Sequence, residues 1–573
     1  MGQKATNGSK RQKIEREQST VEAPSNLLPH FSSPHYPSSN SDKKKIPQSL
    51  LPELNELQKS NSSHAVEVEA CKSIVHIFTR DFRINDNISL SEASQRATEL
   101  GKPLICIYVD YPQLDRVHSV SGWQREYRKQ ALLKLQTVLE TEYSIPLYFS
   151  SCEDTSKPKI LEHLLSVLAK VESTIVYSNI LYEIDELKLC LHMLKELPKH
   201  GISFNTFHDF CVIGPDNIRT KKDSPYSVFT PWYKSWLKYL NENKTEILRH
   251  VKVNKSPKNE NVDPLCKKFF NSTFEEKAIK QEVDVDYTQQ RKNFNKYWNA
   301  GEESAMKDLD SFIKSRKISS YGKNRDSVEP IETSQLSLHI SSGTISVRTI
   351  LRRLQSKIPK LFVFDHKGNE GESSWIRQLA WRDFYTHILC HWPYVCTYLP
   401  FQTDFASIQW EYNKDHFMKW CKGDTGYPFV DAAMRQLNQT GYMHNRCRMV
   451  VASFLSKHLL IDWRFGERYF LEHLVDGDFA SNNGGWGFSS SVGVDPQPYF
   501  RVFNPWTQSE KFGANGEYIR KWVPELRHIK DKSIHNPYAS HESVDGYPRP
   551  IVDHKASRER ALQRYKQAKY DEA

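Results

Sequence analysis

The sequence lacks the cysteine pairs that would indicate a disulfide scaffold or a zinc site. Its ten cysteines are scattered, with no CxxC pair and no metal-type spacing to histidine. This usage is typical of a reduced intracellular protein with buried thiols, and it predicts no metal site. The chain also lacks an apolar run long enough to span a bilayer and a signal-peptide core near its start. We therefore expect a soluble protein without a membrane partner.

Aromatic side chains and positive charge, by contrast, are abundant. Aromatic residues make up 12% of the chain, with 13 tryptophans, and the formal net charge is +10. Residues 1–70 hold nine Lys and Arg against eight Asp and Glu, so most of the excess lies beyond them. Such an excess favours a polyanionic partner, and an ordinary solvated basic surface explains it equally well.

The first part of the chain predicts a disordered basic tail over residues 1–71. It is rich in Ser, Asn, Pro, Lys and Gln and poor in bulky apolar residues. Its basic clusters at 10–13 and 43–45 match nuclear-import signals, although short clusters of this kind are often only solubilising. The expected location is the nucleus, with the mitochondrion left open as a second one.

From Ser73 onward the pattern predicts an α/β domain, which we assign to residues 72–210. Apolar, β-branched runs alternate with helical patterns at Gln124–Tyr143 and Lys159–Val171. The runs are Ile74–Thr79, Leu104–Val109, Pro146–Phe149 and Thr174–Tyr177. This alternation predicts a parallel sheet of the Rossmann-like or flavodoxin-like kind, covered on both faces. No GxGxxG follows the first strand, so a dinucleotide site is not indicated there.

The rest of the chain predicts a linker, a helical domain and a tail. We expect residues 211–300 to form an interdomain linker across the surface, residues 301–550 an all-helical domain, and residues 551–573 a C-terminal tail. The helical spacing is clearest in five stretches: Met306–Ile313, Val347–Leu354, Trp375–Leu389, Phe429–Leu437 and Val450–Leu460.

Two local patterns in the helical part suggest a ligand. One helix face collects Trp375, Gln378, Trp381, Arg382 and Tyr385 at spacings of three or four residues. This face suits a planar, hydrogen-bonding ligand, and a core face with a polar rim is the equal alternative. Hydroxyl side chains at Thr333, Ser334 and Ser337 precede a predicted helix, where they suit either phosphate binding or ordinary capping.

A series of motifs in the second half carries a more specific signal. They are WIRQLAWRDFY, TGYPFVDAAMRQL, GYMHNRCRM, LLIDWRFGERYF, DGDFASNNGGWGFSSSVGVDPQPYFRVFNP and KWVPEL. Together they resemble the photolyase/cryptochrome family, and most of all the class I cyclobutane pyrimidine dimer (CPD) photolyases of fungi. TRDFRINDN, near the first strand, resembles the family's opening motif, and the resemblance extends to about Tyr547.

The resemblance implies an α/β domain for an antenna pigment and an all-α domain that binds FAD in a U-shaped conformation. The residues that match family contacts to the phosphates are Tyr321, Thr333, Ser334, Leu336 and Ser337. Those that match contacts to the flavin ring are Asp476, Asp478 and Asn482, with Arg448 facing Asp476. Asn482 would face the flavin N5, where a neutral amide adds no negative charge beside an anionic reduced flavin.

The implied activity is that of a carbon–carbon lyase, a deoxyribodipyrimidine photo-lyase. Blue-light-excited reduced FAD would donate an electron to a CPD flipped out of DNA and split it into two pyrimidines. Trp410, Trp463 and Trp486 match the family's electron-transfer chain, and their separation in sequence predicts different helices.

On the DNA side, Trp381 would stack on the dimer and Asn445 and Met449 would line its pocket. Arg325, Arg446 and Arg501 match positions that contact the flanking phosphates. We expect a monomer.

Two departures from the family pattern bear on function. Gln378 stands where dimer photolyases usually have Glu, and Gln donates to a carbonyl oxygen without supplying a proton or a charge. This raises the alternative of a cryptochrome photoreceptor with weak or no repair, beside the blander one of a DNA-binding flavoprotein without light chemistry. Phe488 replaces a second Trp found in bacterial members. Glu186 and Cys396 match positions that contact methenyltetrahydrofolate in folate-using relatives, and an ordinary surface Glu and buried Cys explain them equally well. The antenna that the resemblance implies is methenyltetrahydrofolate or a deazaflavin.

Overall fold

The N-terminal half forms a five-stranded parallel sheet. A computed structural model describes residues 48–62, 71–257, 274, 287–315, 317–358, 363–365, 370–494, 500–540 and 542–570. The strands are β1 (Ile74–Phe78), β2 (Leu104–Asp110), β3 (Leu147–Ser151), β4 (Ile175–Asn179) and β5 (Ser203–Phe207). Their order is β3-β2-β1-β4-β5, and every neighbouring pair is parallel. The predicted α/β class is confirmed, and the strand order is Rossmann-like rather than flavodoxin-like.

Helices connect the strands and cover the sheet. They are α1 (Leu51–Ser62), α2 (Ile88–Leu100), α3 (Pro112–Val117), α4 (Gly122–Tyr143), α5 (Lys157–Lys170) and α6 (Ile184–Glu196). β1 and β2 are almost wholly buried, as expected for parallel strands with a helical layer on each face. The strand order reverses between β1 and β4, which opens a crevice at the carboxyl ends of these two strands.

The second half is helical, as predicted. Its helices are α7 (Phe229–Glu242), α8 (Lys244–Ile247), α9 (Tyr287–Tyr297), α10 (Glu302–Lys314), α11 (Lys317–Asn324), α12 (Ser337–Ser341), α13 (Val347–Lys357), α14 (Glu370–His391), α15 (Lys414–Lys422), α16 (Pro428–Thr440), α17 (Asn445–Ser453), α18 (Trp463–His473), α19 (Phe479–Ser489), α20 (Pro505–Phe512), α21 (Glu517–Trp522) and α22 (His554–Tyr570). One turn of π-helix, Phe454–His458, continues α17.

The prediction of a disordered tail over residues 1–71 is wrong for residues 51–62. These form α1, whose Leu51 and Leu54 are buried in the same core as β2 and β4. The Asn55 amide donates to Asp216 at 2.8 Å, and the Gln58 amide donates to the Thr206 carbonyl at 3.0 Å. Buried leucines at helical spacing and side-chain hydrogen bonds to the α/β domain therefore hold this helix in place. Residues 1–47, including both basic clusters, lie outside the described residues.

The prediction of a surface linker over residues 211–300 is also wrong for residues 229–242, which form α7. α7 buries Trp232 and Trp236, four residues apart, in a core shared with α14. The last segment, expected to be a solvated helix or tail, forms α22, and it is not wholly solvated because Ala561, Tyr565 and Ala568 are buried on one face. In both segments polar and charged residues surround a narrow apolar stripe, so average composition hides the buried face.

A buried ion-pair network joins the sheet to the helical half. Asp209, just after β5, pairs with Arg83 after β1 and with Arg348 on α13, whose Nη2 lies 2.7 Å from Oδ1. Although burial opposes ionisation, the two guanidinium groups lower the pKa of Asp209 to about 2. Arg348 also pairs with Asp86 at 3.2 Å, so buried charges are balanced across the contact.

We predict that Asp209→Asn lowers the free energy of unfolding by about 3–5 kcal/mol at pH 7, because it leaves the buried Arg83 charge uncompensated. The lowered pKa means that the native pair stabilises above the unfolded Asp pKa of about 3.9 and loses this effect as the pH falls toward about 2. Asp310→Asn, which breaks the partly exposed pair with Arg353, is the control and should cost about 1 kcal/mol or less. Equal losses in urea unfolding would contradict the prediction.

Candidate functional site

An ion pair joins α17 to the loop that precedes α19. The His444 imidazole caps α17 by accepting from the Arg446 backbone N–H at 3.1 Å. One turn into this helix, Nη2 of Arg448 lies 2.9 and 2.8 Å from the two carboxylate oxygens of Asp476. The Arg448 Nε also donates to the Met443 carbonyl at 2.8 Å, which fixes the plane of the guanidinium. Arg448 therefore faces Asp476, as the sequence predicted.

The double asparagine of α19 is held by a single residue of α18. Asn482 donates from Nδ2 to the Glu467 carbonyl at 3.0 Å, and Asn483 donates to the Glu467 carboxyl at 2.9 Å. Burial raises the pKa of Glu467 to about 8, so this carboxyl is largely protonated at neutral pH. Asp478 caps α19 by accepting from the Ser481 N–H at 2.8 Å. The contact to Glu467 uses the amide nitrogen of Asn482 and leaves its oxygen for a ligand.

The hydroxyl-rich segment lies next to this ion pair. Of the three hydroxyl residues expected at the start of a helix, only Ser337 lies there, as the first residue of α12, and Thr333 and Ser334 lie in the segment before it. Burial raises the pKa of Tyr442, and the nearby Arg448 guanidinium opposes the rise. Tyr442 also lies under Arg448, with the guanidinium 5.7 Å from the ring centroid. Thr333 Oγ1 is buried without a hydrogen-bond partner among the described residues, which leaves this hydroxyl for a ligand.

The predicted DNA-side residues lie on α14 and on the first turn of α17. Gln378 is half-buried and donates to the Ser374 carbonyl one turn earlier at 3.2 Å. Trp381, one turn later, is half-buried and stacks on Phe229. Asn445 is exposed, with its amide nitrogen 3.9 Å from the Met449 sulfur. Gln378 and Trp381 thus place an amide and an indole on α14, and Asn445 and Met449 place an amide and a thioether on α17.

The three predicted phosphate-contacting arginines are only partly brought together. Arg446 pairs with Asp326 at 2.8 Å and lies over Phe512, and Arg325 is the chain neighbour of Asp326. Arg501 is exposed, and its backbone carbonyl accepts from Lys457 in the π-helical turn. No contact among the described residues joins Arg501 to the other two.

The tryptophans of the proposed relay differ in burial. Trp486 on α19 and Trp463 at the start of α18 are each 2% exposed. Trp410 is half-buried and lies edge-on to Tyr565 of α22, with ring centroids 6.1 Å apart. Trp410 lies in the loop ahead of α15, so the expectation that all three occupy helices is wrong for this residue. Exposure therefore increases from Trp463 and Trp486 to Trp410.

A cavity of about 590 Å³ lies at the crevice between β1 and β4. Its walls include Arg80 after β1 and Glu183 and Glu186 after β4, and Arg80 pairs with both carboxylates at 2.8 and 3.0 Å. Burial raises the pKa of Glu186, and Arg80 partly offsets this. Cys396 lines a smaller cavity of about 110 Å³ that shares Glu183 with the larger one. The two antenna candidates therefore lie in adjoining cavities.

A buried group with metal-ligand chemistry lies under α14, formed by Cys211, Asp383 and His387. The His387 Nδ1 accepts from the Trp232 indole at 3.1 Å, and its Nε2 donates to the Ile213 carbonyl at 2.9 Å. Burial lowers the pKa of His387 to about 3, so the ring is neutral. With both nitrogens engaged, the group is a hydrogen-bonded part of the core.

No helix in the described part of the chain is long and apolar enough to cross a bilayer.

Sequence reasoning missed three residues that shape the site. Glu467 orients both asparagines, Phe229 covers one face of Trp381, and Gly484 lets Tyr385 of α14 approach α19. A Cβ at Gly484 would lie 2.2 Å from Cδ1 of Tyr385. The only local signal was the glycine pair after the asparagines, because the partners of all three residues are distant in sequence.

Comparisons with known proteins match both halves of the chain. Residues 74–250 match the family model described as DNA photolyase, and residues 375–567 match that of the FAD binding domain of DNA photolyase. The deoxyribodipyrimidine photo-lyase of Neurospora crassa is 42% identical, covering 86% of this chain and 82% of that protein. The mitochondrial deoxyribodipyrimidine photo-lyase of Saccharomyces cerevisiae is 37% identical, covering 92% and 91%. A class III photolyase structure from Agrobacterium tumefaciens superimposes with a TM-score of 0.71 at 31% identity, covering 87% and 98%.

The donor set described above fits FAD. Hydroxyl groups suit the phosphates, and a neutral amide and an ion-paired carboxylate suit the edge of a flavin ring, which both donates and accepts hydrogen bonds. Arg448 already neutralises the Asp476 carboxylate, so a buried flavin would meet little uncompensated charge there.

We predict opposite effects for alanine at two adjacent glycines of α19. Gly484→Ala should lower the free energy of unfolding relative to Gly485→Ala by about 1–3 kcal/mol, because its methyl group collides with Tyr385. Gly485→Ala meets nothing within 4 Å and should stabilise the protein by about 1 kcal/mol through helix propensity. Urea unfolding of both variants measures the difference. Equal stabilities would show that α14 and α19 are not in close contact.

Proposed function

Since the chain belongs to the photolyase/cryptochrome family, we propose that it is a light-dependent DNA repair enzyme that splits cyclobutane pyrimidine dimers. Its similarity to named photo-lyases extends over most of the chain. The observation that carries the proposal is the Arg448–Asp476 pair together with the uncharged Asn482, on adjoining elements of the region that matches the FAD-binding family model. The reaction class is a carbon–carbon lyase.

The chain's own residues bind and orient the cofactor. FAD, when bound and excited by blue light, supplies one electron to the dimer. Arg448 and Asp476 hold the ring edge, and Asn482, itself held by Glu467, presents an uncharged amide where a carboxylate would repel an anion. The residues assigned to the phosphate side are Tyr321, Thr333, Ser334, Leu336 and Ser337, and Asp478 fixes the start of α19.

The lesion is bound by a flat surface and a basic rim. Trp381 offers its indole to the extruded dimer, and Gln378, Asn445 and Met449 line the pocket beside it. Extruding a dimer costs less than extruding a normal pair, because a damaged step already pairs poorly. Arg325, Arg446 and Arg501 bind the flanking phosphates, which makes affinity salt-dependent and tolerant of sequence.

Two accessory roles complete the proposal. Trp486, Trp463 and Trp410 conduct single electrons between the cofactor site and the surface, and the greater exposure of Trp410 suits the outer position. A light-harvesting chromophore, methenyltetrahydrofolate or a deazaflavin, occupies the cavity at the β1–β4 crevice near Glu186 and Cys396. We further propose a monomer located in the nucleus, with a mitochondrial pool suggested by the name of the yeast relative.

The competing function is that of a cryptochrome photoreceptor with little or no repair. Gln378 favours it, because a neutral amide replaces the acid that dimer photolyases use at this position. The remaining pocket residues favour repair, so an activity measurement separates the two.

We predict that the reduced, FAD-loaded protein restores a thymine-dimer oligonucleotide under blue light and not in darkness. Chromatography of the digested oligonucleotide measures the restored thymines, and a dimer-free oligonucleotide controls for photodamage. An absence of restoration under light, with FAD bound and reduced, would replace repair by the photoreceptor function.

We predict that Gln378→Glu speeds repair about fivefold, because the O–H of a protonated carboxyl group donates a shorter hydrogen bond to a dimer carbonyl than an amide N–H does, which adds roughly 1 kcal/mol. Gln289→Glu, which makes the same substitution at an exposed position on α9, should leave the rate unchanged. Single-turnover repair after a light flash measures both. An unchanged rate for Gln378→Glu would show that this side chain does not contact the dimer.

A further inference from the structure

One face of Trp381 is already covered by another aromatic ring. Phe229, the first residue of α7, lies parallel to Trp381 with ring centroids 3.5 Å apart and an interplanar angle of 5°. Aromatic pairs in proteins commonly lie 4.5–7 Å apart and are offset, so this overlap is unusually complete. The stack continues to Tyr233, one turn along α7, at 5.4 Å and 10°. Phe384 meets Trp381 edge-on at 5.5 Å and 83°.

The helix that carries Phe229 is fixed to the helix that carries Trp381. The Trp232 indole donates to His387, and the Trp236 indole donates to Asp383, each at 3.1 Å. Both acceptors lie on α14, as Trp381 does, so α7 contacts α14 through three successive turns. Phe229 is only 5% exposed and therefore cannot swing aside to let a base enter on its side.

We propose that Phe229 is a positioning residue that fixes the plane of Trp381 and leaves one indole face for an extruded base. This inference rests on the proposed function and assigns a role to a segment whose sequence resembles a linker. A stack of rings also prevents Trp381 from turning about its side-chain bonds when the pocket is empty. Less rotational freedom is then lost on binding, which strengthens capture of the dimer without affecting the phosphate contacts.

The test compares planar and non-planar residues at position 229. Phe229→Leu keeps an apolar side chain but removes the flat face, and should raise both the KM for dimer oligonucleotide and its Kd about three- to tenfold. Its kcat and its affinity for undamaged DNA should stay the same. Phe229→Tyr restores a ring and should remain within about twofold of the wild type. Phe229→Met is a second non-planar substitution with the same expectation as Leu, used if Leu does not fold.

A control within the same stack separates positioning from general stability. Tyr233→Leu removes the second ring layer but leaves the Phe229–Trp381 contact, so it should keep a wild-type KM even if its melting temperature falls. An unchanged KM and Kd in the non-planar variants at position 229, or an equal rise in Tyr233→Leu, would overturn the inference. If the wild type binds the dimer oligonucleotide but does not repair it, the proposed function fails, and the Kd comparison still tests Phe229.

Discussion

The buried carboxylate of Asp383 holds the ligand-facing helices in place. Its Oδ2 accepts from the backbone N–H groups of Val212 and Ile213, at 3.0 and 3.3 Å, and from the Trp236 indole at 3.1 Å. Burial raises the pKa of Asp383 to about 6, and these donors oppose the rise. One side chain thus joins α14, α7 and the segment that leaves the sheet. Polar groups buried this deeply are stable only when they are hydrogen-bonded, so the three elements are fixed together.

Much of the fold follows from local patterns, and the exceptions have physical reasons. β1, β2 and β4 contain Ile and Val and β3 begins with LYF, whereas β5 reads SFNTF and its register comes from pairing with β4. Helix α7 resembles a linker because PYSVFTPWYKSW has proline and polar residues beside its tryptophans. What makes it a core helix are indole hydrogen bonds to residues about 150 positions away, which no local pattern contains.

Some residues of the candidate site can likewise be predicted from local sequence motifs, and others cannot. Arg448, Asp476, Asn482 and Trp381 are found from motifs that match together and in register. Glu467 and Phe229 are not, because each acts on a motif residue from another segment. Sequence resemblance therefore supplies the residues that we propose to contact ligands, and the structure adds side chains that hold some of them in place.

Both the repair function and the photoreceptor function require one flavin held in the helical half. The most direct measurement is to denature the purified protein and quantify the released FAD against chain concentration. We expect about one FAD per chain for the wild type, and much less for Asp476→Ala, which leaves Arg448 without its carboxylate partner. A colourless wild-type protein that also fails to take up added FAD would contradict the account.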